Sequence, residues 1–413
     1  MSQNKEDKTH SQIQTLLNEG KLYESISLIK AALNNKTNPK LLDRLNRLED
    51  TYRYMIHYLV EGYSDSGRED MLSDIKGELH LINDLVLRDS LLPSSEDVYS
   101  STLRFENIRK ASLEGRLSEY KNAFARSSLA EAAGGNREME RETENALSSV
   151  FSYVWTMFGA NANDYRTLTE YVISDQSPFS FKAQIISALF LGNMKYFDPD
   201  ALSALIDIYE ADLSDKISAR ALVAIFLIVA IHGERIKSDK KIKSRLTLWQ
   251  DDLMIYTRLR EVLINFMKAR DTERINKKMQ NELLPEIMKL RPEIINKLKN
   301  ASEEMDMERL EENPEWEEIL NKNGVGDKLK ELTEIQLEGG DVMMMAFSNL
   351  KNFPFFNTVS NWFLPFSSNH SEVTTDTGDN LYFVQNYKKN LVPPYFFCKF
   401  AMCKVAHATH QAY

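Results

Sequence analysis

The stretch that decides the fold is ALVAIFLIVAI, residues 221–231, which contains no polar side chain. Shorter segments with apolar residues at helical spacing lie on both sides of it. A membrane-spanning helix needs roughly 20 such residues. We therefore interpret the stretch as a helix that is buried on all sides by other helices.

Helix starts elsewhere in the chain support a helical framework. A residue able to cap free N–H groups is followed directly by proline at Asn38-Pro39, Ser177-Pro178, Asp198-Pro199 and Asn313-Pro314. Proline is tolerated at the first helical position, where its missing N–H is not needed. Each of these four pairs therefore predicts the start of a helix.

These starts and the 3.6-residue periodicity together predict the helices along the chain. We place them at residues 10–19, 21–34, 39–62, 67–90, 96–132, 138–158, 164–174, 180–192, 199–211, 216–232, 245–270 and 272–300. From residue 164 to residue 232 they are short and evenly spaced, as in stacked helical pairs. We predict an all-α fold with antiparallel helix pairs stacked as an α-solenoid, followed by an irregular aromatic-rich C-terminal region. An irregular helical bundle is the alternative.

One segment resembles a named repeat. GKLYESISLIKAAL, residues 20–33, matches the second half of a tetratricopeptide repeat, G-x-x-x-E-A-I-x-x-x-x-x-A-L, with Ser25 in place of the small Ala. The helix before it lacks the aromatic residue and the Leu-Gly pair of that family. Residues 180–232 are similar to HEAT-type helix pairs. Through the segment NPEWEE, residues 313–318, and the aromatic run that follows it, the whole chain is similar to helical-repeat proteins of bacteria. These resemblances imply a helical-repeat fold and no particular activity.

Three segments interrupt the helical pattern and divide the chain. They are Gly-Gly-Asn at residues 134–136, an acidic stretch at 301–318 and a polar stretch at 367–380. They predict four regions. These are an N-terminal helical unit (1–133), a central HEAT-like unit (137–300), an acidic helix with the aromatic-rich segment (301–366), and a linker with an irregular tail (367–413).

Composition restricts the class of protein. The 413 residues include 43% hydrophobic and 27% charged side chains, which is typical of a soluble globular protein. The net charge of −10 argues against a general binder of nucleic acid or anionic membranes. The first residues contain no apolar core of a signal peptide, so we expect a cytoplasmic protein. Only two cysteines occur, which excludes a disulfide framework.

An aromatic run at residues 343–366 is the strongest candidate for partner binding. We predict contact with a partner through Phe353, Phe355, Phe356, Trp362 and Phe363, because aromatic side chains dominate interface hot spots. The alternatives are that the run packs in the core, or that it covers a further C-terminal domain.

The tail contains residue types that bind zinc. Cys398, Cys403, His407 and His410 offer two thiolates and two imidazoles. The two pairs lie too close for a Cys2His2 finger, in which a helix separates them. We therefore predict no metal site and interpret the tail as incidental, such as the end of a truncated or frameshifted reading frame.

A basic stretch follows the buried helix. Its cations are Arg235, Lys237, Lys240, Lys241, Lys243 and Arg245. Contact with nucleic acid is conceivable, but such runs are usually solvated loops, and cations here also complement the negative end of the helix. His232, before Gly233, is interpreted as the C-terminal cap of that helix.

The sequence shows no nucleotide-binding or metalloprotease motif, and we predict no catalytic residue, cofactor or metal. We expect a protein-interaction scaffold or adaptor with a protein partner and no membrane contact. The alternatives are a nucleic-acid-associated regulator that uses residues 235–245, and an enzyme whose site no motif reveals.

Overall fold

The structure is a computed structural model. It describes residues 2–34, 38–132, 135–211, 213–269, 277, 281, 354–364 and 370. Within these residues the chain is helical and contains no strand, which confirms the all-α prediction. Apart from residues 277 and 281, the predicted helix at 272–300 lies outside the described residues, as do the zinc-ligand types in the tail and Asn313-Pro314.

Thirteen α-helices occur in the described part of the chain. They are α1 (Ser2–Asn18), α2 (Leu22–Asn34), α3 (Pro39–Val60), α4 (Arg68–Leu91), α5 (Val98–Arg109), α6 (Leu113–Ala132), α7 (Arg137–Thr156), α8 (Ala162–Ile173), α9 (Phe179–Lys195), α10 (Pro199–Glu210), α11 (Asp215–Ser238), α12 (Lys240–Leu248) and α13 (Leu253–Ala269). Short 3-10 turns occur at Trp249–Asp251, Pro354–Asn357 and Val359–Phe363.

Two compact units make up the chain. The first contains Met1–Tyr256 with Val359–Leu391, and the second contains Thr257–Thr358 with Val392–Tyr413. The helices on either side of the interruption at 134–136, α6 and α7, pack directly against each other in the first unit. The four regions proposed from the sequence remain predictions.

The capping signals were read correctly at two of the three described positions. Asn38 accepts a hydrogen bond from the Leu41 N–H, and Asp198 accepts one from the Asp200 N–H. Helix α9 is different, because it begins at Phe179 and has no side-chain cap, with Pro178 as its N-cap residue. The Ser177 hydroxyl instead donates to the carbonyl of Tyr171 at 2.6 Å.

Two long helices predicted from the sequence are each broken in the structure. The segment predicted at 96–132 forms α5 and α6, because Lys110 adopts a left-handed conformation with φ of 51°. The Ser112 hydroxyl then accepts a hydrogen bond from the Gly115 N–H at the start of α6. The segment predicted at 245–270 is divided by Asp252, whose carboxylate accepts a bond from the Met254 N–H at 2.8 Å and caps α13.

The apolar stretch of residues 221–231 lies in the core of the first unit, within α11. Ala221, Leu222, Ile225 and Ile228 are buried, and α11 packs against α4, α9, α10 and α12. Ile231 is 45% exposed, so the burial does not extend over the whole stretch.

Helix α11 is also longer than the stretch from which it was predicted. It has 24 residues and a mean hydropathy of 1.8 in its most apolar window, and among the described helices it alone is long and apolar enough to cross a membrane. The length argument from the sequence concerned residues 221–231 alone, whereas the helix that contains them extends from residue 215 to residue 238. Half of that window is buried inside the structure, and the core helix of a soluble protein passes the same test of length and composition.

Candidate functional site

The predicted partner-binding residues are partly described. Phe353 and the side chain of Phe356 lie outside the described part of the chain. Phe355 is buried, whereas Trp362 and Phe363 are each half-buried. The interface prediction for these five residues is not tested by their burial alone, since half-buried aromatic rings occur in cores and in interfaces.

Residues 359–364, called here the docked segment, lie against helices α7 and α9 of the first unit. The Ser360 hydroxyl donates to the Ser148 hydroxyl of α7 at 2.9 Å. The Phe363 ring stacks on the Phe151 ring of α7, with centroids 5.9 Å apart and planes 20° apart. Farther along, His370 lies 3.7 Å from the carboxylate of Glu144, also on α7.

Two framework side chains bind the main chain of the docked segment. Gln184 of α9 donates through Nε2 to the carbonyl of Ser360 at 3.0 Å. Arg220 of α11 donates to the carbonyl of Phe363 at 3.2 Å and to the Ser187 hydroxyl at 2.9 Å. Neither residue stands out in the sequence, because each lies in a helix whose pattern indicates only core packing.

A second polar group lies where α1, α4 and α11 meet. Asp84 of α4 is buried, and its carboxylate accepts hydrogen bonds from His10 at 2.7 Å and from Arg235 at 2.6 Å. Burial opposes the negative charge, but Arg235 and the His10 hydrogen bond outweigh burial and hold the pKa of Asp84 below its usual range. We call His10, His80, Asp84, His232 and Arg235 the buried polar cluster.

Two histidines of the buried polar cluster are held neutral. Burial lowers the pKa of His80 to about 3, with a further contribution from the positive charge of Arg235. Neither ring nitrogen of His80 has a hydrogen-bond partner among the described residues. Burial lowers the pKa of His232 to about 4, and its Nε2–H donates to the carbonyl of Asn193 at 3.0 Å.

His232 does not end its helix as the sequence analysis predicted. Its backbone leaves helical geometry, with φ of −107° and ψ of 20°, and α11 resumes beyond it to Ser238. The His232-Gly233 pair therefore marks a kink inside α11 and not the end of the helix. At the kink, the His232 ring contacts the Phe197 ring. The Arg235 guanidinium also lies over the Phe197 ring, 5.0 Å from its centroid.

The basic stretch of residues 235–245 is helical, so the prediction of a loop was wrong. It comprises the end of α11 and much of α12, and the Asp239 carboxylate between them caps α12 through the Ile242 N–H. Four of the six cations form ion pairs within the chain. These are Arg235 with Asp84, Lys237 with Glu234, Lys240 with Asp70, and Arg245 with Asp207 and Glu210.

An exposed aromatic surface that the sequence analysis missed lies at the end of α3. Tyr54, Tyr58, Val60 and Tyr63, called here the tyrosine face, are between 55% and 79% exposed. Gly62 has a φ of +84°, which lets the chain reverse after the helix.

The reversal places one tyrosine of this face against another. The Tyr63 N–H donates to the carbonyl of Tyr58 at 3.1 Å. The Tyr58 and Tyr63 rings then meet edge to face with centroids 5.9 Å apart. The spacing of Tyr54 and Tyr58, one helical turn apart, together with Gly62 was the available sequence signal.

No group of three or more potential metal ligands occurs in the part of the chain that the structure describes. Comparison with known proteins does not assign the chain to a family, because no family, no curated protein and no solved structure matches it.

Proposed function

We propose that this protein is a protein-interaction adaptor in which a helical-repeat framework presents aromatic docking surfaces. The observation that carries the proposal is the tyrosine face. Tyrosine supplies a large apolar contact area together with a hydroxyl group, and aromatic residues are enriched among the side chains that contribute most to binding between proteins. A clustered, solvent-exposed group of such side chains is a common mark of an interaction site.

Two features of the tyrosine face favour binding over a purely structural role. The face is held in one arrangement by the turn at Gly62 and by the hydrogen bond from Tyr63 to Tyr58. A surface that is already ordered loses less conformational entropy when a partner binds. The exposed rings also contribute little to the core, so core packing does not account for their presence.

The packing order of the central helices supports the proposed solenoid. Each helix from α7 to α9 packs on the second helix after it, in the pairs α7 with α9, α8 with α10 and α9 with α11. Consecutive helices α8 to α11 also pack on one another. This combination is expected of stacked helical pairs, and we include a tetratricopeptide-like or HEAT-like arrangement in the proposal.

The nucleic-acid alternative is less well supported. Four of the six cations of residues 235–245 form ion pairs with carboxylates of this chain. A phosphate contact to any of these four cations would have to compete with its ion pair. If the regulator alternative is correct, the chain should retain DNA or RNA with an affinity that falls steeply as salt rises.

A comparison of three variants tests the adaptor proposal. Tyr58→Ala combined with Tyr63→Ala truncates the tyrosine face, and Tyr23→Ala truncates a comparably exposed tyrosine on α2. Cross-linking in source cells followed by mass spectrometry should recover the same partner with the parent and with Tyr23→Ala. The double variant should lose that partner while it melts at the same temperature. Recovery of the same partner by all three chains would contradict the proposal.

A further inference from the structure

The docked segment is a 3-10 turn that is bound largely through main-chain groups, which any peptide possesses. Its two main-chain carbonyls, of Ser360 and Phe363, accept hydrogen bonds from Gln184 and Arg220. These donors come from α9 and α11, and the ring of Phe151 on α7 supplies an aromatic contact. Three helices therefore form one face that recognises main-chain polarity at two points and an aromatic ring at a third.

The donors of this face are held in place by the framework. Gln184 is 2% exposed, so its amide cannot be turned freely toward solvent. Arg220 is fixed by a second hydrogen bond, to Ser187 of α9. Donors ordered in advance favour binding because little entropy is lost when the ligand arrives.

The docked segment leaves one buried polar atom of this face without a hydrogen bond. The Oε1 atom of Gln184 is buried and has no hydrogen-bond partner among the described residues. A buried acceptor without a donor is unfavourable. The docked segment accepts a hydrogen bond from Nε2 of Gln184 but donates none to its Oε1. A partner peptide that also donated an N–H to Oε1 would pair with both ends of the Gln184 amide.

The aromatic rings of the docked segment also remain partly accessible. Trp362 and Phe363 are each half-buried, although Ser360 and Asn361 beside them are buried. A competing ring could therefore replace Phe363 on Phe151 without opening the helical core.

We propose that α7, α9 and α11 form a binding site for a short, aromatic-bearing turn segment of a partner protein, of the kind that residues 359–363 form here. Residues 359–364 occupy this site as an internal ligand, and the partner segment displaces them. This face is separate from the tyrosine face, so the proposal adds a second site to the adaptor function and does not depend on the first.

The test uses the full chain and a fluorescent synthetic peptide of residues 357–366. Phe363→Ala in the chain weakens the internal ligand, so the variant chain should bind the wild-type peptide at least about tenfold more tightly than the parent does, since apparent affinity rises with the fraction of free sites. A matched peptide carrying Phe363→Ala should bind weakly to both chains. Equal affinity of parent and variant chains for the wild-type peptide would overturn the proposal.

Framework variants locate the binding. Gln184→Ala and, separately, Arg220→Ala, each in the Phe363→Ala chain, should reduce peptide affinity. The tyrosine-face double variant should bind the peptide as its parent does, so failure of one site is distinguishable from failure of the other. Peptide binding that survives both framework changes would overturn the assigned site.

A measurement on the unaltered chain covers the case in which a variant does not fold. Hydrogen exchange at residues 359–364 of the parent should accelerate when excess wild-type peptide is added and should not change with the Phe363→Ala peptide. Unchanged exchange with both peptides would contradict displacement. A parent that is a stable dimer, and that Phe363→Ala converts to a monomer, would show that a second copy supplies the segment and would overturn the internal-ligand assignment.

Discussion

Arg235, near the end of α11, donates a hydrogen bond of 2.6 Å to the buried carboxylate of Asp84 on α4, 151 positions earlier in the chain. The same carboxylate accepts from His10 of α1. One buried charge therefore connects the N-terminal helices with the central ones. Arg235 was assigned from the sequence to a solvated basic loop, whereas the structure places it against Asp84 in the interior.

Replacement of Asp84 by Asn should destabilise the protein strongly. The change leaves the Arg235 guanidinium buried without its carboxylate, and loss of one partner of a buried ion pair costs about 3–5 kcal/mol. Urea unfolding followed by circular dichroism measures the difference. Glu234→Gln is the control, because it removes an exposed partner of Lys237 on the same helix and should leave the urea midpoint unchanged. Equal shifts in the two variants would show that Asp84 is not buried.

Stability should fall as pH decreases from about 7.5 to about 5. The folded-state pKa values of His80 and His232, about 3 and about 4, lie below the unfolded value of roughly 6.5. The unfolded state therefore binds more protons in this interval, and acid favours it. Each histidine accounts for a loss of about 2 kcal/mol. Urea titrations at the two pH values measure this loss.

The Asp84 carboxylate acts in the same direction at lower pH. Its folded pKa is depressed, so the stability it contributes is present above its unfolded pKa and is lost as pH falls through the folded value.

His80 faces Arg235, Lys76, His10 and Asp84, so its protonation adds charge beside cations. His80→Leu should remove about 2 kcal/mol of the loss between pH 7.5 and 5. An unchanged pH dependence in this variant would contradict burial of a neutral His80.

Local signals were sufficient for much of the helical framework. Asn38 and Asp198 cap helices where the sequence predicted them, and residues 221–231 lie in a core helix. These features depend on side chains within one helical turn or on a long apolar run. Their physical cause is contained in a short window of sequence.

Other features depend on groups that are distant in sequence. The identity of the partner of Arg235 depends on how α4 and α11 pack, and Gln184 gains its role only because Ser360 lies against α9. The break at Lys110 was missed for a different reason. A left-handed lysine has no strong sequence signal, and the Ser112 cap that follows it is not accompanied by proline.

Ile225→Asp should destabilise the protein severely, whereas Ile231→Asp on the same helix should not. Ile225 is 2% exposed and lies in the core, so a carboxylate there would be buried without a partner. We expect a loss of about 3 kcal/mol or more. Ile231 is 45% exposed and its carboxylate would remain hydrated. Thermal melts of the two variants measure the difference, and equal melting temperatures would show that α11 is not packed as described.

Gly192→Ala should destabilise the protein because α9 approaches the main chain of α7 at this point. A Cβ atom at residue 192 would lie 2.8 Å from the carbonyl oxygen of Trp155, closer than side chains pack against backbone. The helices would have to separate, at a cost of about 1–3 kcal/mol. Gly77→Ala in α4 is the matched control, since nothing beyond its chain neighbours and the backbone of its own helix lies within 4 Å of the added Cβ. That change should stabilise the protein by about 0.5–1 kcal/mol because alanine favours a helix interior. Urea unfolding should therefore give shifts of opposite sign for the two variants. A stabilising Gly192→Ala would mean that α7 and α9, which carry the docked segment, are farther apart than the structure places them.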